Sequence, residues 1–219
     1  MATTMKAYRG MGMEGGVARW YDRTTRKDMP EFRTLAARIA AAVAPAAQVL
    51  EVAPGPGFLS IELARRGLKV RAVDISKTFV GIARQNAAEE GAAVWFEQGN
   101  ASELPIEDES VDFAVCRAAF KNFSEPVKAL KEMRRVLRPG GTALIIDLRR
   151  DVSSAEIKRY ADGLGVNLLN RLLIRLTFKT TLIKRAYELD EMRRMAVEAG
   201  WTDPRIDGSE LGFEAWLKK

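Results

Sequence analysis

Two periodicities alternate along the chain. Short apolar runs with β-branched residues occur at "QVLEVA" (48–53), "KVRAVDI" (69–75), "AVWFEQG" (93–99), "VDFAVCRA" (111–118) and "GTALIIDL" (141–148). Each has the length and composition of a buried strand. Segments with helical spacing lie between them. Residues 58–66 end at Gly67, and "TFVGIARQNAAEEG" ends at Gly91, both natural stops. In "EPVKALKEMRRVL", Leu130, Met133 and Leu137 recur at three- and four-residue spacing, with Ser124 placed to cap the helix. Upstream, "EFRTLAARIAAAVAPA" (31–46) is an alanine-rich helix stopped by Pro45. The fifth run is almost wholly apolar, as expected of a strand covered on both faces.

Beyond residue 150 the pattern changes. Residues 153–185 read as helical, rich in leucine and basic residues. "ELDEMRRMAVEAG" (188–200) places Leu189, Met192 and Ala196 on one helix face. The end of the chain reads as two strands around a turn at Asp207, Gly208 and Ser209. Alternating strands and helices followed by a terminal hairpin predict a doubly wound α/β sheet. We expect one domain over 1–219, with an N-terminal arm (1–30) and a helical lid insertion (151–187).

Composition narrows the chemistry. The chain has 219 residues, 47% hydrophobic and 29% charged, which suits a soluble globular domain. It contains no apolar run long enough to span a bilayer, and its N-terminus lacks the apolar stretch of a secretory signal. A single cysteine, Cys116, excludes an internal disulfide and fits a reducing, cytoplasmic setting. Histidine is absent, which removes histidine-based triads and histidine metal sites. No metal site is expected. The net charge of +6 is compatible with anionic partners or with a basic solvated surface.

The loop after the first strand carries the candidate chemistry. In such a sheet, ligands bind beyond the carboxyl ends of the strands, where the strand order reverses. In "LEVAPGPGFLSIELA" (50–64), glycines allow close backbone approach and a helix N-terminus follows. Gly55 to Ser60 is one residue from a dinucleotide fingerprint, and Asp74 follows Gly57 by 17 residues. Those features keep a nicotinamide dinucleotide, and hence a reductase, in contention. Glu51 argues against it. A carboxylate beside the loop repels a pyrophosphate and suits a cation.

These segments together resemble the class I S-adenosylmethionine-dependent methyltransferases. "VLEVAPGPG" with Asp74, "QGNASELPIEDESVDFAV" and "EMRRVLRPGGTALIID" stand in that family's order and spacing, strongly over about 30–150. The resemblance is to the small-molecule branch, which includes the quinone-biosynthesis C-methyltransferases. The resemblance implies a Rossmann-like seven-stranded sheet with S-adenosyl-L-methionine as cofactor and S-adenosyl-L-homocysteine as product. It implies that Glu51 and the backbone of Ala53, Gly55 and Gly57 surround the methionine portion, and that Asp74 takes the ribose hydroxyls. Ile75 would pack on the adenine face, Asn100 and Ala101 would meet its edge, and the Arg117 carbonyl would take the cofactor ammonium. Trp20 and Tyr21 would either close over the cofactor or staple the arm to the core. Two positions depart from the family. Ala53 replaces a glycine, which is tolerable at negative φ. Asn100 replaces an aspartate.

The substrate side is less legible. "CRAAFKNFSEP" follows the fourth strand, where the acceptor would lie. It lacks the Pro-Pro-aromatic motif of nucleic-acid amine methyltransferases and the Pro-Cys nucleophile of RNA cytosine-C5 enzymes. Cys116 reads as a core residue. Phe120, Lys121 and Phe123 either line an acceptor pocket, with Lys121 attracting an anion, or simply pack and face solvent. The basic, leucine-rich 167–187 is either a lid packed on the sheet edge or a peripheral membrane contact. No catalytic base is identifiable. The expected partner is a small, apolar or aromatic acceptor rather than nucleic acid. Monomer and homodimer both stay open, as does a methyltransferase-fold module that binds cofactor without turnover or associates with RNA.

Overall fold

The computed structural model describes residues 8–9, 12–163, 167, 171–172, 175–176 and 183–219. In chain order the elements are α1 (Gly15–Thr25), α2 (Met29–Ala42), β1 (Gln48–Val52), α3 (Phe58–Ala64), β2 (Lys69–Asp74), α4 (Lys77–Glu89), β3 (Val94–Gln98), β4 (Val111–Arg117), α5 (Pro126–Val136), β5 (Leu137–Leu148), α6 (Ser154–Gly163), α7 (Leu189–Glu198), β6 (Arg205–Gly208) and β7 (Gly212–Lys218). The strands form one seven-stranded sheet in the order β3-β2-β1-β4-β5-β7-β6. β1 to β5 pair in parallel, and β7 runs antiparallel between β5 and β6. The doubly wound fold is thus as the alternation predicted. The order reverses between β1 and β4, which places the ligand crevice at their carboxyl ends.

Both sheet faces are covered because alternate strand residues point opposite ways. Val49, Phe113, Val115 and Leu144 pack with Phe32, Leu35, Ile39 and Leu59 from α2 and α3. Leu50, Val52, Ala114, Cys116 and Ile145 pack with Leu130 and Met133 of α5 and with Met192 and Ala196 of α7. Cys116 is fully buried, as read from its strand, and burial pushes its thiol up.

Some boundaries moved, each for a local reason. α2 ends at Ala42, ahead of Pro45, because Val43 is already extended. α5 is preceded by Glu125, not capped by Ser124. Pro126 occupies its first turn, and the residue before a proline is driven out of the helical region. The terminal turn lies at Ser209–Gly212, closed by Ser209 N–H donating to the Gly212 carbonyl at 2.8 Å. Asp207 and Gly208 instead pair in β6 with Glu214 and Phe213. In the region expected to be helical to 185, α6 covers Ser154–Gly163 and residues 171–172 and 175–176 are helical as expected, whereas Ile183–Arg185 are bend and turn. Most of 164–182, including most of the basic segment expected to form a lid or membrane contact, lies outside the described residues.

Candidate cofactor and acceptor cavity

A cavity of about 690 Å³ opens at the carboxyl ends of the parallel strands. That volume is within the usual range for a small-molecule site. The strand ends supply its charged groups. Glu51 comes from β1, Asp74 from β2 and Arg117 from β4, while Lys121 follows β4 in a short 3₁₀ turn (Phe120–Asn122). From the other side, Tyr8, Trp20 and Tyr21 of the N-terminal arm line the cavity.

The two carboxylates are buried without an ion-pair partner among the described residues. Ser60 Oγ donates to Glu51 Oε2, which fixes that side chain from the first turn of α3. Burial pushes Glu51 up to about 7, with the Ser60 hydrogen bond and the Arg117 charge drawing it part-way back. Asp74 accepts from Gly55 N–H at 3.0 Å and Ser76 N–H at 2.8 Å. Burial outweighs these bonds and pushes Asp74 up to about 6. Each oxygen accepts one backbone N–H, which leaves a lone pair apiece for a hydroxyl. A cation, or a pair of hydroxyls, is what such a site lacks.

The loop between them is held in left-handed backbone. Ala53 has φ 58°, Gly55 φ 55° and Gly57 φ 83°. The negative φ expected at Ala53 is not observed. This alanine occupies a conformation that costs glycine little and an L-residue about 1 kcal/mol. Its N–H donates to the Val73 carbonyl at 2.8 Å, which helps hold it there. Gly57 does not line the cavity. A Cβ there would come within 2.8 Å of Phe96 and 2.9 Å of Ala83, so its bareness lets α3 pack against α4 and β3.

Ala53, Gly55, Ile75, Asn100, Ala101, Arg117, Tyr21, Lys121 and Phe123 join Glu51 and Asp74 around the cavity. Phe120 does not. It is fully buried in the core, against Phe123 and Tyr187. Lys121 is not a free cation. Its ammonium donates to Asp147 Oδ1 and to the Ala118 carbonyl, both at 2.7 Å. The Arg117 guanidinium is also engaged, pairing with Glu31 at 2.8 Å and lying over the Phe32 ring at 4.4 Å. Asn100 Oδ1 accepts from Ser102 N–H at 2.9 Å, which holds the loop after β3 and leaves one lone pair.

Several residues escaped the sequence reading. Asn86 ties α1 to the loop after β1: its Nδ2 donates to Asp22 Oδ1 and to the Pro56 carbonyl, while its Oδ1 accepts from Arg26. Ser76 Oγ donates to the Met13 carbonyl, and Glu14 accepts from Thr78, so the arm is also fastened at the start of α4. Nothing local marks these pairs. Asp147 had a visible signal, since β5 ends in an acid just as β1 and β2 do.

Comparison with known proteins places this geometry. Residues 50–145 match the model of a methyltransferase domain family. Demethylmenaquinone methyltransferase of Deinococcus radiodurans is 38% identical over 102 residues, covering 46% of this chain and 42% of that protein. Ubiquinone biosynthesis O-methyltransferase of Alkalilimnicola ehrlichii is 31% identical over 151 residues, covering 68% and 59%. The chain thus spans about half the length of these relatives. A protein of Methanococcus maripaludis, assigned as an S-adenosyl-L-methionine-dependent methyltransferase, superposes with a TM-score of 0.78 at 22% identity, over 96% of this chain and 95% of that one. Residues 50–145 match a methyltransferase domain family, and the sheet around them shares its fold with the Methanococcus maripaludis protein.

Proposed function

We propose that this protein is an S-adenosyl-L-methionine-dependent methyltransferase acting on a small, apolar or aromatic acceptor. The observation that carries the reading is the pair of buried carboxylates, Glu51 and Asp74, without an ion-pair partner among the described residues and beside a glycine-bent loop at the switch point. They suit a ligand with positive charge and a ribose diol and oppose a pyrophosphate. In this reading Asp74 accepts from the ribose hydroxyls, and Glu51 stabilises the cationic methionine end. The backbone of Ala53 and Gly55 and the Arg117 carbonyl line that end. Ile75 packs on the adenine, with Asn100 and Ala101 at its edge, and Tyr21 covers the cofactor from α1. Gly57 acts one step back, by setting how closely α3 packs.

When bound, the sulfonium supplies an electrophilic methyl group. The chain's own work is to orient, to exclude water and to present the acceptor in line. The arm serves the second task, held by Asn86, Ser76 and Thr78. Quinone-biosynthesis relatives support an aromatic acceptor, as does the apolar lining contributed by Phe123 and Leu148.

Calorimetry with S-adenosyl-L-homocysteine, followed by transfer of labelled methyl to a panel of phenols, quinols and thiols, tests the reading. Micromolar binding and transfer to at least one acceptor are expected. Binding of a nicotinamide dinucleotide in place of the homocysteine ligand would overturn it.

A further inference from the structure

The strand order divides the cavity. Asp74 and Asn100 stand at the β2 and β3 side, Glu51 at β1, and Lys121 and Leu148 at the β4 and β5 side. Neighbouring strands lie about 4.8 Å apart, so three steps from β2 to β5 separate the two sides by roughly 14 Å. A ligand anchored by Asp74 and Glu51 leaves the β4–β5 side for the second substrate.

That side is built around one lysine. Lys121 Nζ is 2.7 Å from Asp147 Oδ1, and the two side chains are only 12% and 1% exposed. Asp147 does not line the cavity; it sits behind the lysine and also accepts from Lys121 N–H at 2.8 Å and Leu148 N–H at 2.7 Å. The Ala118 carbonyl takes a second ammonium proton, presented by an alanine at φ 59° whose N–H donates to Ile146 at 2.7 Å. Left-handed backbone at a non-glycine residue is strained and persists when its surroundings impose it. An ammonium has three donors. Two are spent on protein, which leaves one, and Lys121 lines the cavity while Asp147 does not.

We propose that Lys121 is the oxyanion-binding residue of the acceptor site, donating its third hydrogen bond to a deprotonated phenol- or enol-type oxygen. The inference rests on the methyltransferase reading and extends it to the acceptor's class: an acidic aromatic or enolic hydroxyl. The hydroxyl releases its proton to water, and Lys121 holds the resulting anion. The anion attacks the methyl carbon; the carbon–sulfur bond breaks with its electron pair to sulfur, leaving a neutral thioether. If a ring carbon is the attacking atom, its hydrogen then leaves as a proton to water. Lys121 stays charged throughout, and no histidine is needed. The other titratable groups lining the cavity are Tyr8, Glu14, Tyr21, Glu51, Asp74 and Arg117. Of the two cations, the Arg117 guanidinium is turned to Glu31 and Phe32, which leaves Lys121 as the cation of the β4–β5 side.

The test uses the full chain with S-adenosyl-L-homocysteine, and 4-nitrophenol as a probe whose phenolate absorbs visibly. A cation within hydrogen-bond reach lowers an acid's pKa by about 1 unit or more. Bound 4-nitrophenol should therefore ionise about 1 pH unit below the free phenol. Lys121→Met should abolish the shift, and Lys121→Arg, which keeps the charge, should preserve most of it. Homocysteine-ligand affinity should stay within about twofold in both variants, which also verifies their folding. An unshifted or unbound probe, or the same shift in Lys121→Met, would overturn the proposal while leaving the cofactor reading intact. A tenfold loss of homocysteine-ligand affinity in Lys121→Met would overturn it by assigning the lysine to the cofactor carboxylate. Failure of the native protein to bind the homocysteine ligand would instead remove the underlying methyltransferase reading.

Discussion

Three of the acids near the ends of parallel strands meet different fates. Glu51 and Asp74, on β1 and β2, are buried with hydrogen bonds but no ion-pair partner among the described residues. Asp147, on β5, is buried with Lys121 at 2.7 Å and two backbone donors besides. The first pair carries a standing desolvation cost that a cationic ligand relieves. The third is already satisfied, and its partner Lys121 lines the cavity. In the proposed reading, one half of the crevice takes a cation and the other an anion. In a displacement from a sulfonium by an oxyanion, that is the polarity the two substrates require.

The comparison can be broken at its strongest point first. Asp74→Ala removes the acceptor for both ribose hydroxyls in the proposed site. Calorimetry should then show a loss of homocysteine-ligand affinity of about 100-fold or more, since hydrogen bonds to a charged group contribute about 1.5–3 kcal/mol each. Unchanged affinity would disprove the ribose assignment.

Glu51 offers a test with two opposite signs. Its folded pKa, about 7, lies above the ordinary 4.5. The folded protein therefore holds a proton that the unfolded chain releases between those values. Below pH 4.5 both states are protonated and the group costs nothing. As pH climbs from about 4.5 through 7, the ligand-free protein loses stability, by about 3 kcal/mol when the shift is fully expressed. Asp74 adds to the same trend up to about pH 6. Glu51→Gln should raise the ligand-free melting temperature at pH 8 while weakening the cationic cofactor about tenfold. In the native protein, cofactor affinity should rise over the window in which ligand-free stability falls. A destabilised Glu51→Gln with intact affinity would make Glu51 a structural residue only.

The loop residues give the smallest effects. Gly57→Ala forces a Cβ against Phe96 and Ala83 at positive φ and should destabilise by about 2–3 kcal/mol in chemical denaturation. Ala53→Gly relieves left-handed strain and should stabilise by about 1 kcal/mol. If Ala53→Gly also weakens cofactor binding, the strain serves pre-organisation.

The sequence was informative wherever a feature is local. Strand and helix order, the burial of Cys116 and the placement of Glu51 and Asp74 beside the bend all follow from periodicity and from the position of acids at the ends of apolar runs. Even the boundary errors were local, as where Pro126 moved a helix start past Ser124. Other features depend on residues distant in the chain. Gly57 meets Ala83 and Phe96, and Asn86 reaches Asp22 and Pro56. Phe120, which the sequence left open between lining the pocket and packing, lies in the core.

By itself, then, the sequence determined the fold class, the switch point and the acids poised over it, because hydrophobic period and chain order dictate those. Only the tertiary structure decided which charges were left uncompensated. The pairing of Lys121 with Asp147 spans 26 residues and two strands, and the left-handed backbone at Ala53 and Ala118 is imposed by neighbouring strands. Charge compensation depends on distance in space, and spacing along the chain carries no record of it.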